Sequence, residues 1–269
     1  VNRILNSNNV SAPKLINQNY INNFIKIEYF GNNTLFKIFN KNKNYNFFYK
    51  KIIDLLIKIQ KIKIKKTKTF LSSVYIVPIY TKKKLLEEAN LFIDWYIPNH
   101  INGKKKIIIG KKFKDIFIKL LSKIKNKNNV FVHRDFHISN IMYFKKKMRI
   151  IDSQDAQFGN IAYDLASLID DVRLKTSNKF KNQILTEYLR KNKKLNKQKF
   201  INDFEILSVL RNFKIIGIFS RLAQRDKKNK YLKLIPYAWD LIQLRIKNNQ
   251  NFDELKVILS KNNFIKNKK

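Results

Sequence analysis

The chain has 269 residues, 57 Lys+Arg against 19 Asp+Glu, and a formal net charge of +38. With no Cys, it has no route to disulfides, thiolate-ligated metals or a thiol nucleophile. Its 44% hydrophobic content, with 21 Phe and 12 Tyr, is enough for a real core and excludes disorder throughout. No apolar run approaches the roughly 20 residues of a membrane-spanning helix, and Val1–Asn6 lacks the apolar stretch of a secretory signal, so a cytoplasmic protein is expected. A basic balance of this size raises nucleic acid as a partner. Here, however, Lys is spread along the chain in company with abundant Asn and Ile. That pattern fits drift on solvated faces, and no specific nucleic-acid site is expected.

In chain order, residues 1–9 read as the end of a helix, broken at Ser11-Ala12-Pro13. Asn23–Tyr29 alternates as a strand and stops at Gly31. Tyr49–Ile62 carries Ile52, Ile53, Leu55, Leu56 and Ile59 at helical spacing. Lys84–Tyr96 and Phe113–Ile124 predict two further amphipathic helices. The rhythm then changes. Val130–Val132 is a short buried strand, and Asn140–Tyr143 with Met148–Ile151 predicts a hairpin across a turn at Lys145–Lys147. Helical spacing returns from Ala162 onward. A mostly helical body around a small β element is an α+β pattern.

In a chain with three times as many bases as acids, Asp135, Asp152, Asp155, Asp164, Asp170 and Asp171 crowd into one stretch. Asp135 follows a buried strand, where a loop can hold a side chain at a cleft. The hairpin sets Asn140 beside Asp152. A carboxylate and an amide oxygen so placed suit one hard cation, Mg²⁺, with open positions for phosphate oxygens. Asp135 then stands near enough to take a proton from an attacking hydroxyl, which supplies the parts that phosphoryl transfer needs. Singly, each residue has a plainer explanation as a turn former or cap. His133, Asp135 and His137 also form an alternating H-x-D-x-H that could ligate zinc or iron. His100 is the only other His available to complete such a set. The alternative for His133 is a buried residue bracing the loop.

The pattern H-x-D-x-x-x-x-N followed by I-D-x-x-D, here His133, Asp135, Asn140, Ile151, Asp152 and Asp155, resembles the catalytic core of the aminoglycoside phosphotransferase/choline kinase group, relatives of the protein kinases. His137 and Asp152-Ser153-Gln154 stand where protein kinases carry Lys and D-F-G, which disfavours a protein kinase. Ile151–Leu168 is similar to bacterial anomeric kinases of N-acetylmuramate and N-acetylglucosamine. So are Ser11–Pro13, Ile27–Gly31, Leu91–Tyr96 and the segments from Arg211 to Leu232.

The resemblance implies a two-lobed, protein-kinase-like fold. Residues 1–35 would be the remnant of a truncated small lobe, and residues 36–269 a mostly helical lobe with the catalytic loop and metal hairpin. ATP and Mg²⁺ are the implied cofactors and a small amino sugar the implied substrate. Asp135 would be the base, with His133 in the catalytic loop, and Asn140 and Asp152 the metal ligands. Glu28, Tyr29 and Phe30 would meet adenine in a hinge, or form an ordinary edge strand. Trp95, with Phe92, Asp94 and Tyr96, would wall the sugar site or simply pack a helix. His137 and Asp155 are further substrate candidates, Asp155 equally a turn carboxylate. Asp164 would support the loop.

The five Gly form no phosphate-covering loop, and no strand Lys precedes the first helix. A preceding polypeptide is therefore one expected source of the missing strands. The rival readings are a degenerate kinase-like binding module without turnover and a basic nucleic-acid-binding protein.

Overall fold

A computed structural model describes residues 1–41, 45–69, 73–262 and Phe264. The elements run α1 (Asn2–Ser7), β1 (Leu15–Asn19), β2 (Phe24–Ile27), α2 (Leu35–Lys41), α3 (Tyr45–Gln60), β3 (Lys66–Lys68), β4 (Val74–Ile76), α4 (Lys82–Leu91), α5 (Gly103–Ser122), β5 (Asn128–Val132), β6 (Ile141–Phe144), β7 (Lys147–Ile150), β8 (Gln157–Asn160), α6 (Tyr163–Ile169), α7 (Asn178–Lys191), α8 (Lys197–Gln224), α9 (Ile235–Ile246) and α10 (Asp253–Lys261). They divide into two compact units. Residues 1–80 and 127–195 form one, and residues 81–126 and 196–269 the other.

Among the described residues the first unit holds all the strands, as four antiparallel pairs: β1 with β2, β3 with β4, β5 with β8, and β6 with β7. Its core is fed by α3, which buries Ile52, Ile53, Leu55, Leu56 and Ile59 on one side, the spacing the sequence predicts. The helix starts earlier than expected, at Tyr45. The β6–β7 turn is also tighter than expected. Lys145 and Lys146 alone make it, both left-handed (φ 49° and 57°), which is the two-residue geometry that matches strand twist.

The β8 strand does not stand out in the sequence, because Gly159 and Asn160 are poor strand formers. Pairing decides instead. Val132 lies opposite Gln157 and Val130 opposite Gly159, and a Cβ on Gly159 would come within 2.8 Å of Val132 Cγ2. The predicted strand at 23–29 is β2, with β1 as its unforeseen partner. The pair leaves Ile16, Phe24, Ile25 and Ile27 exposed.

One charge pair lies deep in this unit. Lys181 on α7 is buried with its Nζ 3.4 Å from Asp170 and 2.5 Å from the Ile169 carbonyl oxygen.

The second unit is helical. Thr81 and Asn196 cap α4 and α8 by accepting N–H bonds from Lys84 and Lys199 (3.2 and 2.9 Å). The predicted helix at 84–96 is α4 followed by a wide π-type turn at Phe92–Tyr96. Gly217 on α8 lies so close to the backbone where α4 meets this turn that a Cβ would sit 2.2 Å from the Leu91 carbonyl carbon. Only Gly permits that approach. Phe92, Phe113, Phe213 and Trp239 interlock around the crossing. Asp203 is buried and closes the end of α5 by accepting the Lys125 and Asn126 N–H groups, each at 2.8 Å. No helix among the described residues is long and apolar enough to cross a membrane.

Candidate active site

Asp135, Asn140, Asp152 and Asp155 lie in the first unit, on the excursion between β5 and β8. The chain leaves β5 at Val132 and enters a loop whose first turn is fixed from below. Asp164 at the start of α6 is buried; its Oδ2 accepts the His133 N–H (2.6 Å) and its Oδ1 the Arg134 N–H (3.0 Å). Two backbone donors are thereby satisfied, and Arg134 is held in a left-handed conformation (φ 72°) that a non-glycine residue seldom adopts unaided. The Arg134 guanidinium lies 4.8 Å over the Tyr80 ring and donates to the Asp155 carbonyl (3.2 Å).

His133 is buried, with its Nε2 3.1 Å from the Ile151 carbonyl oxygen. That contact makes Nε2 the protonated nitrogen and ties the loop to the residue before Asp152. Burial depresses the imidazole pKa, outweighing the upward pull of the Asp135 carboxylate, the Ile151 carbonyl and Asp152. A buried His so bonded braces the loop against the strand that leads to Asp152.

The depressed pKa has a stability consequence. The unfolded chain takes up a proton near the ordinary histidine value of about 6.5, and the native chain does not. Stability from this group is therefore present above that pH and is lost as pH falls toward the folded value. Each pH unit in that window is expected to cost up to about 1.4 kcal/mol. Urea unfolding of wild type and His133→Gln between pH 7 and 5.5 measures it, and the variant should lose that part of the slope.

The loop then turns on itself. His137 N–H donates to the Asp135 carbonyl (3.0 Å) and Asn140 N–H to the His137 carbonyl (2.9 Å), with the His137 side chain nearly enclosed. These bonds bring Asn140 back under Asp135. The Asn140 Nδ2 donates to the Asp135 carbonyl at 3.1 Å and approaches Asp152 Oδ2 at 3.4 Å. The Ile151 N–H donates to the Asn140 carbonyl (3.0 Å), extending the β6–β7 ladder to the start of the Asp152 turn. Asp152 is exposed and left-handed (φ 64°). Backbone conformations of this kind gather at functional sites, where the surrounding structure imposes them. One amide thus joins the loop that carries Asp135 to the hairpin end that carries Asp152.

Asp152 Oδ1 also accepts from Gln154 Nε2 (2.8 Å). Sequence reasoning passed over Gln154, although its place two residues after Asp152 in I-D-x-Q-D was a usable signal. Asp155 is exposed and 4.0 Å from Arg134 Nη1. Its charge, after burial, helps raise the Tyr75 hydroxyl pKa.

The hinge candidates are mixed. The Glu28 N–H is taken by the Lys14 carbonyl (2.8 Å), and its carboxylate meets Arg149 Nη1 (3.4 Å). The Phe30 ring is buried beneath the Arg149 guanidinium at 4.5 Å. The Tyr29 hydroxyl donates to Asn32 (2.8 Å). The Glu28 and Phe30 side chains are thus both committed to Arg149, while Tyr29 is exposed. Trp95 belongs to the second unit, in the π-type turn, with its carbonyl accepting from Asn99 (2.7 Å) and Gln224 (3.0 Å).

The donor set fits Mg²⁺. Asp152 supplies a carboxylate, and Asn140, with its amide nitrogen engaged, keeps Oδ1 for a ligand. Such an all-oxygen pair, completed by water and phosphate oxygens, is how Mg²⁺ is held at phosphate-transfer sites. The described residues contain no cluster of three or more His, Cys, Asp or Glu able to hold a metal alone. The H-x-D-x-H segment is accordingly not gathered into such a cluster.

A kinase-like α+β fold with a loop Asp, a following Asn and a hairpin Asp defines the class. A family model described as the phosphotransferase enzyme family (APH) matches residues 48–196, and the chain belongs to that family. It is 30% identical over 167 residues to an N-acetylmuramate/N-acetylglucosamine kinase of Neisseria meningitidis serogroup B, covering 60% of this chain and half of that protein. It is 25% identical over 257 residues to the Pseudomonas aeruginosa kinase of the same name, covering 93% of this chain and 73% of that one. Among solved structures it is similar in fold to the ADP-bound aminoglycoside phosphotransferase APH(2″)-Ib. The TM-score is 0.57 at 17% identity, over 90% of this chain and 78% of that one.

Proposed function

We propose that this chain is an ATP-dependent phosphotransferase that moves the γ-phosphoryl group to a hydroxyl of an amino sugar of the N-acetylmuramate/N-acetylglucosamine type. The observation that carries this reading is the single Asn140 amide lying between the Asp135 carbonyl (3.1 Å) and the Asp152 carboxylate (3.4 Å). It ties the backbone of the loop that carries Asp135 to the hairpin end that carries Asp152, which supports this reading. The two named kinases extend the reading to the sugar.

In this reading Asp135 accepts the proton of the sugar hydroxyl as its oxygen bonds to the γ-phosphorus and the bond to ADP breaks. Asn140 and Asp152 hold Mg²⁺, which neutralises phosphate charge when bound. His133 and Asp164 keep the loop in register. Residues 1–35, with the Glu28–Phe30 backbone toward adenine, act as part of the smaller lobe, and residues 36–269 as the larger. His137 and Asp155 contribute to the acceptor side. A cytoplasmic setting, where ATP and free sugars meet, suits this chemistry.

The test is incubation of the full chain with Mg·ATP and N-acetylmuramate or N-acetylglucosamine, followed by ³¹P NMR. A sugar phosphate that requires both Mg²⁺ and ATP is expected. A melting temperature raised by Mg·ATP with no product would leave a nucleotide-binding module in place of an enzyme.

A further inference from the structure

A second concave site lies in the first unit, formed by α1 and its following turn, α3 and β7. Its volume is about 610 Å³, within the roughly 300–1,000 Å³ of small-molecule sites. The cations around it stand on two walls. Lys51 and Lys58 are seven residues apart on α3, two turns and roughly 10 Å along one face. Lys147 and Arg149 are two residues apart on β7, and so project from the same side about 7 Å apart. Leu55 and Met148 give the cavity an apolar part.

The only acid among the lining residues, Asp54, is engaged by Lys191. Lys58 and Lys147 have no ion-pair partner among the described residues. Arg149 is already engaged through Nη1 with Glu28 (3.4 Å) and Ser11 (3.1 Å), but its Nε–H is buried and finds no acceptor among the described residues. A chain this basic has Lys on every face, but facing rows of cations across an open cavity, with the single acid already neutralised, are a narrower feature.

We infer that this cavity binds a small organic molecule carrying a diphosphate or two phosphate groups, which the α3 and β7 cations grip from opposite sides. Two anionic groups are required because neither wall alone supplies more than two cations. An uncharged or singly charged molecule would leave one wall facing like charge.

The experiment is calorimetric titration of the full chain with inorganic pyrophosphate, without Mg²⁺, at about 0.15 M salt, where exposed long-range attraction is screened. Wild type is compared with Lys58→Glu/Lys147→Glu and with Lys104→Glu/Lys105→Glu. The latter changes charge equally on exposed positions of α5. Saturable one-to-one binding is expected for wild type and the α5 variant, and at least about tenfold weaker binding for Lys58→Glu/Lys147→Glu. Equal weakening in both variants, or no saturable binding in wild type, overturns the proposal. So does binding unchanged in Lys58→Glu/Lys147→Glu, which would assign the pyrophosphate to the Asn140/Asp152 region. These four lysines lie outside that region, so the outcome is independent of whether the chain turns over sugar.

Discussion

Replacing Asp135 with Asn is expected to lower the rate of Mg·ATP-dependent sugar phosphorylation by about 10²–10⁴-fold, the range for loss of a positioned base. The substitution removes proton-accepting capacity and keeps the shape of the side chain. The Asp135 carbonyl that receives the Asn140 amide and the His137 N–H is backbone and survives the exchange. The Asp164 bonds that hold the loop lie one and two residues earlier, and also use backbone donors. The variant should therefore melt within a degree or two of wild type and keep its nucleotide affinity, with the loss confined to turnover. Steady-state kinetics paired with thermal unfolding separates these quantities. Wild-type turnover in the variant would dismiss Asp135 as the base.

Lys181→Met should cost about 3–5 kcal/mol of stability, because it removes the buried ammonium that faces the Asp170 carboxylate and donates to the Ile169 carbonyl. Lys181 and Asp170 are both almost fully enclosed, so water cannot replace the lost ammonium. Methionine keeps much of the stem volume, which limits any cavity contribution. Equilibrium urea unfolding gives the number. Adding Asp170→Asn should restore part of it, since the uncompensated charge is then gone. A loss below about 1 kcal/mol in the single variant would mean that Asp170 is satisfied without this lysine.

The site was legible where chemistry and local pattern coincide. Asp135 and Asp152 stand out in a lysine-rich chain because acids are scarce in it, Asn140 shows only by its spacing from them, and an apolar strand before the loop marks the place where it is anchored. The β6–β7 hairpin showed through its alternating apolar residues. What escaped notice depends on distant partners. β8 is a strand because β5 is beside it, and β1 because β2 is. The enclosure of His133 arises from the Ile151 carbonyl, eighteen residues away. The π-type turn at Phe92–Tyr96 keeps the apolar spacing of an ordinary helix, so its widening is invisible until α8 packs Gly217 against it. The side-chain commitments of Glu28 and Phe30 to Arg149 likewise join residues more than a hundred positions apart.

The pairing of Val132 with Gln157 closes the base of residues 133–156, and Asp164 rivets the first turn from beneath. The groups proposed to react therefore sit on a cassette held at its base by these two clips, and along its length by backbone bonds that join Ile138, Tyr143 and Ile150 to Phe36, Asn33 and Ser11. Inside it, the Asn140 amide joins the Asp135 carbonyl to the Asp152 carboxylate. Changes at the two clips, though far from any substrate, would blunt the chemistry as surely as changes to the carboxylates themselves.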